Sequence, residues 1–344
     1  MNIRRRAGVL ACAALLAVGV VACGSDNSDT GGGEASGDNG PVVLYSGRSE
    51  SLVGPLVQRI SDTVAVQPAY DKKAAQILEE GDRSPADVFF AQDAGELGAL
   101  AQAGLLAPMP DDIVNKVSEQ YRSASGAWVS TSARSRVLIY DPARLPADQL
   151  PAGIGDLLDP RFRGQVGYAP TNASFKSFVT GLRLERGEDG ARDWLTKFLA
   201  NEPRKFDGNG PIVEAVGSGS LTAGLTNHYY WVQEVQEKGE ANVSSRLHFF
   251  GDKDPGGLVN VAGVGVLKSS DNQEQSFEFV RQLLTPQTQE FFATQVGEYP
   301  VADGVRLNVP GVPQLDQLDP PDIDLDKLSD VEGTEKLLTE VGAI

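Results

Sequence analysis

Short apolar runs that alternate with amphipathic helical patterns from Val42 onward restrict this chain to an α/β fold. Val42 to Tyr45 reads as a buried strand stopped by Ser46 and Gly47, and Glu50 to Ile60 follows as a helix. The unit recurs: Lys72 to Glu80 reads as helix, Asp87 to Ala91 as strand and Ala94 to Ala103 as an amphipathic helix. Strands separated by helices favour a mainly parallel sheet covered on both faces.

Trp128 to Tyr140 is a longer β-rich run ending at the turn residues Asp141 and Pro142, long enough to cross between two lobes. Beyond it the alternation resumes, with strands at Gln165 to Ala169 and Leu221 to Thr226 and helices at Ser174 to Arg186 and Ala191 to Leu199. A Gly- and Asp-rich loop then leads into Leu258 to Leu267, a second buried strand that returns to the first lobe. Two crossings imply a hinge. Helices at Glu274 to Leu284 and Gln287 to Gln295, a Pro- and Asp-rich tail and a helix near Thr334 to Val341 complete the chain. The expected division is lobe 1 over 41–135, lobe 2 over 136–257, and a return to lobe 1 with C-terminal helices over 258–344.

Arg4, Arg5 and Arg6 precede an apolar stretch, Ala7 to Ala22, that is too short for a comfortable membrane span. It ends in Val20, Val21, Ala22 and Cys23, the arrangement of a lipoprotein export signal. Residues 1–22 are therefore expected to be removed, Cys23 to carry lipid, and residues 23–40 to serve as a flexible tether. This places the body outside the cytoplasm, anchored to the outer face of the cell membrane. Cys12 goes with the signal, so no disulfide partner remains and stability must come from the core. With a net charge of -17, made more negative when three arginines are removed, the chain is unsuited to nucleic acid.

Enzyme signatures are missing: there is no GxSxG elbow, phosphate-binding GxxxxGK loop, HExxH or CxxC, and only His228 and His248 offer imidazole. Asp322, Asp324 and Asp326 resemble the start of a calcium loop but have Lys327 where Gly is required and Gly333 where Glu is required. The informative cluster is Asn227, His228, Tyr229 and Tyr230, which follows the apolar strand and precedes the helical WVQEVQEK. Thr226 or Asn227 is the natural N-cap. In the first helical turn two adjacent phenols can converge, whereas in a strand they would face opposite ways. Phenolate oxygens are hard anionic donors that suit Fe(III) better than Zn(II) or Cu(I), though paired tyrosines also serve as packing.

Several separated segments then carry a family resemblance. They are YSGR at Tyr45 to Arg48, ADVFFAQDAGELGAL at Ala86 to Leu100, WVSTSARSRVLIYD at Trp128 to Asp141, YAPTNASF at Tyr168 to Phe175, GLTNHYYW at Gly224 to Trp231, DPGGLVNVAGVGVLKSS at Asp254 to Ser270 and EYPVADGV at Glu298 to Val305. Together they resemble the ferric-iron-binding proteins of bacterial ABC importers over nearly all of residues 41–344. The resemblance implies a two-lobed periplasmic-binding-protein fold that closes over Fe(III) and passes it, as a monomer, to a permease and its ATPase. Tyr229 and Tyr230 match the metal-binding tyrosines. Asn172, Ser174, Asn209 and Asn227, with Ser46, match contacts to a companion anion such as carbonate or phosphate. Thr171 to Phe175 also reads independently as a helix start, where free N–H groups favour an anion.

Two departures from that pattern matter. Ser49 stands where some relatives have a histidine ligand, and Gln92, a weak candidate ligand, stands where they have glutamate. Anion or water oxygens are then expected to fill more of the shell, with Arg48 and Arg134 as candidates to grip the anion. The alternatives are a receptor for a small anionic organic or phosphonate-like solute on the same fold, and a surface hydrolase on the same leash.

Overall fold

The computed structural model describes residues 40–344; the expected export signal, Cys23 and the expected tether to residue 39 lie outside the described residues. Strands are β1 (Val42–Ser46), β2 (Val66–Ala69), β3 (Val88–Ala91), β4 (Val129–Tyr140), β5 (Val166–Tyr168), β6 (Arg204–Lys205), β7 (Ala223–Asn227), β8 (Arg246–His248), β9 (Val259–Val266) and β10 (Tyr299–Pro300). Helices are α1 (Glu50–Ile60), α2 (Ala74–Glu80), α3 (Ala94–Gln102), α4 (Asp111–Val114), α5 (Ala173–Ala200), α6 (Asn209–Gly217), α7 (His228–Lys238), α8 (Gln273–Leu283), α9 (Pro286–Phe291) and α10 (Val331–Glu340). Among the described residues no helix is long and apolar enough to cross a membrane.

The strands run in the order β2-β1-β3-β9-β4-β7-β5-β6, with β8 and β10 pairing on β4. On one side, β1 pairs in parallel with β2 and β3; on the other, β5 pairs in parallel with β6 and β7. Each parallel group arises because a helix lies between successive strands and returns the chain to the same end. Between the two groups stand β4 and β9, antiparallel to each other.

β4 belongs to both halves. Its residues Val129 to Ser135 pair with β9, and Arg136 to Tyr140 pair with β7. The change of partner falls between Ser135 and Arg136, where the Arg136 N–H donates to the Leu258 carbonyl at 2.8 Å. The whole strand is buried, which explains the long β-rich run in the sequence.

Two apolar clusters flank this seam. One gathers β1, β3 and β9 with α1 and α3, including Trp128, Phe89 and Phe90; the other centres on Phe175, Phe178, Trp194 and Phe198 of α5. Trp194 stacks on Phe198 at 4.8 Å and donates its indole N–H to the Ile154 carbonyl at 3.0 Å. The α7 residues Trp231, Val232 and Val235 join the first cluster rather than the second. Val232 reaches Gly297, where an added Cβ would sit 2.9 Å from it and where φ is 77°. Glycine alone suits that left-handed turn and close approach.

The two helices expected at Ser174 to Arg186 and Ala191 to Leu199 are both present, as the two arms of α5 on either side of Gly187, whose φ 71° and ψ 171° are not helical. The segment expected as a helix at Gln287 to Gln295 is α9 followed by a π-helical turn, Phe292–Val296. Asp322, Asp324 and Asp326 have structural partners: Asp322 pairs with Lys253, Asp324 caps the turn that follows it, and Asp326 accepts the Trp128 indole N–H at 2.6 Å.

Candidate functional site

β7 ends at Asn227 and α7 begins at His228, which puts Tyr229 and Tyr230 in the first helical turn. Their rings stack side by side at 4.3 Å with 26° between planes. Burial drives the Tyr229 pKa well above 10, the neighbouring Tyr230 hydroxyl and the Glu298 carboxylate push the same way, and Arg134 opposes them. A phenol in such a place keeps its proton until a strong cation displaces it.

Asn227 is the N-cap by position, but its side chain does not cap. Its Oδ1 instead accepts from Arg136 Nη1 at 3.3 Å, and the same nitrogen donates to Ser174 Oγ at 3.1 Å. Ser174 Oγ also receives Asn209 Nδ2 at 3.0 Å and donates to Asn172 Oδ1 at 2.6 Å. Asn172 caps α5 conventionally, accepting the Ser174 N–H at 3.0 Å. The structure thus gathers Asn172, Ser174, Asn209 and Asn227 into one network at the starts of α5, α6 and α7. Helix starts carry free N–H groups and positive partial charge, a chemistry that suits anions.

Arg136 is the centre of this network and was not singled out in the sequence. It is 3% exposed, and burial lowers its pKa to about 10, partly offset by Tyr230 and Tyr229. It stays cationic at neutral pH. Its Nη2 has no hydrogen-bond partner, and neither do Asn209 Oδ1 and Arg134 Nη1. The signal was available: Arg134 and Arg136, two apart in a strand, share a face of β4.

The remaining candidates are placed differently. Arg134 Nη2 pairs with Asp93 Oδ2 at 3.3 Å, an oxygen that also accepts from Asn260 and Ser177. Arg48 lies in the interior, its Nη2 2.9 Å from Glu298 Oε2, and Ser46 Oγ is engaged with the Arg48 backbone. Arg48 holds Glu298, whose carboxylate acts on Tyr229, while Ser46 bonds within its own loop. Gln92 is half-buried at the end of β3, and exposed Ser49 pairs its hydroxyl with that of Ser51 at 3.1 Å. His228 is fully buried, accepts the Ser135 N–H at 3.2 Å, and stacks on Tyr299 at 4.3 Å. Burial pushes its pKa down to about 4, so the ring is neutral. His248 lies apart, bonded to the Pro151 carbonyl at 2.7 Å. Among the described residues, no three His, Cys, Asp or Glu side chains cluster to hold a metal ion.

Two groups of parallel strands joined by shared crossing strands, with a polar network at the junction, define a two-lobed binding protein. The chain belongs to the bacterial extracellular solute-binding protein family, whose pattern matches residues 83–324. It is 34% identical over 316 residues to the Fe(3+)-binding periplasmic protein of Serratia marcescens, covering 90% of this chain and 92% of that protein. The fold superposes on iron-bound HitA from Pseudomonas aeruginosa with a TM-score of 0.79 and 34% identity, over 88% of this chain and 99% of that one. The Trichodesmium protein IdiA (FutA), solved with iron and citrate, gives a TM-score of 0.75 at 26% identity, over 88% of this chain and 99% of that one.

Proposed function

We propose that this chain is a lipid-anchored receptor of an ABC importer that binds ferric iron with a small anion and delivers it to the permease. The observation that carries the reading is the stacked Tyr229 and Tyr230 beside the buried Arg136 network. The two phenolates supply hard oxygen donors from the first turn of α7. They do not neutralise a trivalent cation, and Arg136 adds a further positive charge, so an anion held by Arg136, Ser174, Asn172, Asn209 and Asn227 completes the shell. Carbonate, phosphate or a carboxylate fits that donor set, and the iron-and-citrate complex of the Trichodesmium relative supports an oxygen-rich companion.

In this reading residues 41–135, with the return that begins at residue 258, form the body of lobe 1 and 136–257 form lobe 2, α10 packs on the second apolar cluster, and the hinge lies at the partner change in β4. Closure around the cargo excludes water and opening releases it. Tethering through Cys23 keeps the receptor near its permease.

Replacing Tyr229 or Tyr230 with Phe tests the assignment: each change should weaken iron binding and alter or abolish the visible phenolate-to-iron absorption. Equal affinity and an unchanged spectrum in both variants would sink it. The buried guanidiniums also favour a second reading, an anionic organic solute bound without metal. Binding of small carboxylates or phosphonates in chelator-treated buffer, with no iron uptake, would select it.

A further inference from the structure

We propose that the C-terminal segment from Ile323 to the end of α10 is a strap that sets the angle between the two sides of the cleft. Helix α3 packs in the first apolar cluster, on one side, and α5 in the second, on the other. Asp93 caps α3 and accepts hydrogen bonds from Arg134 and from Ser177 of α5; Asn172 caps α5 within the anion network. Any change in lobe angle therefore moves the starts of these two helices relative to each other. The strap is fastened to both.

Its first anchor lies on α3. The turn Leu325–Ser329 rests so close to the helix that a Cβ at Gly95 would meet the Leu328 carbonyl oxygen at 2.4 Å, and one at Gly98 would meet the Asp326 oxygen at 2.3 Å. Residues i and i+3 lie on one helix face, so these two glycines open a groove that the strap backbone fills. Asp326 fixes the register: its carboxylate accepts from Trp128 Nε1 at 2.6 Å and Ser123 Oγ at 3.0 Å, and its carbonyl from Gln102 Nε2 at 3.1 Å. Leu325 and Leu328 are buried in the first apolar cluster.

The second anchor lies on α5. Asp330 pairs with Arg183 at 2.9 Å, Thr334 and Thr180 share a hydrogen bond of 2.8 Å, and Glu340 pairs with Arg192 at 2.8 Å. Glu335 pairs with Lys176. Leu337 and Leu338 are buried in the second cluster. One short stretch of chain therefore inserts leucines into both cores, crossing between them near Asp330. It is a covalent connection between the halves additional to β4 and β9. Opening the cleft must stretch this stretch or lift one anchor, and either costs buried contacts and hydrogen bonds. The strap thus opposes opening and slows release of whatever the cleft holds.

Gly98→Ala in the full chain displaces the first anchor while leaving α10 on α5. The expected result is a larger radius of gyration for the metal-free protein by small-angle X-ray scattering. Bound iron should also pass several-fold faster to a competing chelator, with the position of the phenolate-to-iron band unchanged. The release measurement rests on the ferric-iron reading and the scattering does not, so failure of one is told apart from failure of the other. Should Gly98→Ala not fold by circular dichroism, Asp326→Ala removes the same anchor without a clash. Folded variants with wild-type dimensions and wild-type release, even at a lowered melting temperature, would overturn the strap and leave only a stabilising tail.

Discussion

Arg48 Nη2 lies 2.9 Å from Glu298 Oε2, with both side chains withdrawn from solvent, and the Ser132 hydroxyl donates to the same oxygen at 2.6 Å. The guanidinium also lies 5.6 Å from the ring centroid of each of Phe90 and Phe292. An arginine beside the opening strand thus joins β1 to the segment before β10. Glu298→Ala leaves a buried cation unpaired and should lower stability by about 3–5 kcal/mol in urea unfolding. The double variant Arg48→Met/Glu298→Met should recover most of that loss. A single variant as stable as the wild type would show the ion pair to be neutral in net effect.

Acid should destabilise the fold in two stages. His228 titrates at about 4 when buried, against about 6.5 in an unfolded chain. Between these values the unfolded state binds the extra proton, so stability falls as pH drops from about 6.5 toward 4. For Glu298, burial opposes ionisation but Arg48, Arg134 and the Ser132 hydroxyl outweigh it, leaving the pKa lowered. Its contribution is present above the unfolded carboxylate range and is lost as pH falls through the folded value. Melting curves of metal-free protein from pH 7.5 to 4 should therefore show a falling midpoint, and His228→Gln should flatten the upper part of that decline. A flat profile in the wild type would contradict both assignments.

Loading should release protons. The Tyr229 phenol is held protonated by burial, by Tyr230 and by Glu298, so iron must displace that proton to bind. Apparent iron affinity should accordingly fall as pH is lowered, and titration in weakly buffered solution should acidify the medium. Uptake without proton release would argue against phenolate ligation.

Arg136→Met should weaken iron retention by about tenfold or more, since a hydrogen bond to a charged group contributes about 1.5–3 kcal/mol. Excess carbonate or phosphate should restore part of the loss, which a purely structural role would not allow. Arg136→Lys keeps the charge but loses the fork that serves Ser174 and Asn227 together, and should fall between the two.

Long, patterned elements were readable because burial leaves a period. The helix at Glu50–Ile60 and the helix carrying the tyrosines follow from apolar spacing and a preceding strand. The short strands β2, β6, β8 and β10 carry Pro or charged residues and hold their places through neighbours distant in sequence. The helix α6 escaped notice as well, its start marked only by glycines around Asn209. Within the site, the helix starts at Thr171 to Phe175 and at Asn227 were legible from capping chemistry, whereas Asn209 was reached through the family resemblance alone. Arg48 and Arg136 were not legible, because tertiary partners such as Glu298 and Ser174 decide which arginine turns inward and which faces the tyrosines.

Because β4 exchanges β9 for β7 between Ser135 and Arg136, its two arginines stand on opposite sides of that exchange. Arg134 is held by Asp93 ahead of α3 and Arg136 by Ser174 at the head of α5. In the proposed two-lobed reading, twisting at that exchange would swing one guanidinium against the other, so the spacing of positive charge around the tyrosines would itself report how far the molecule has shut.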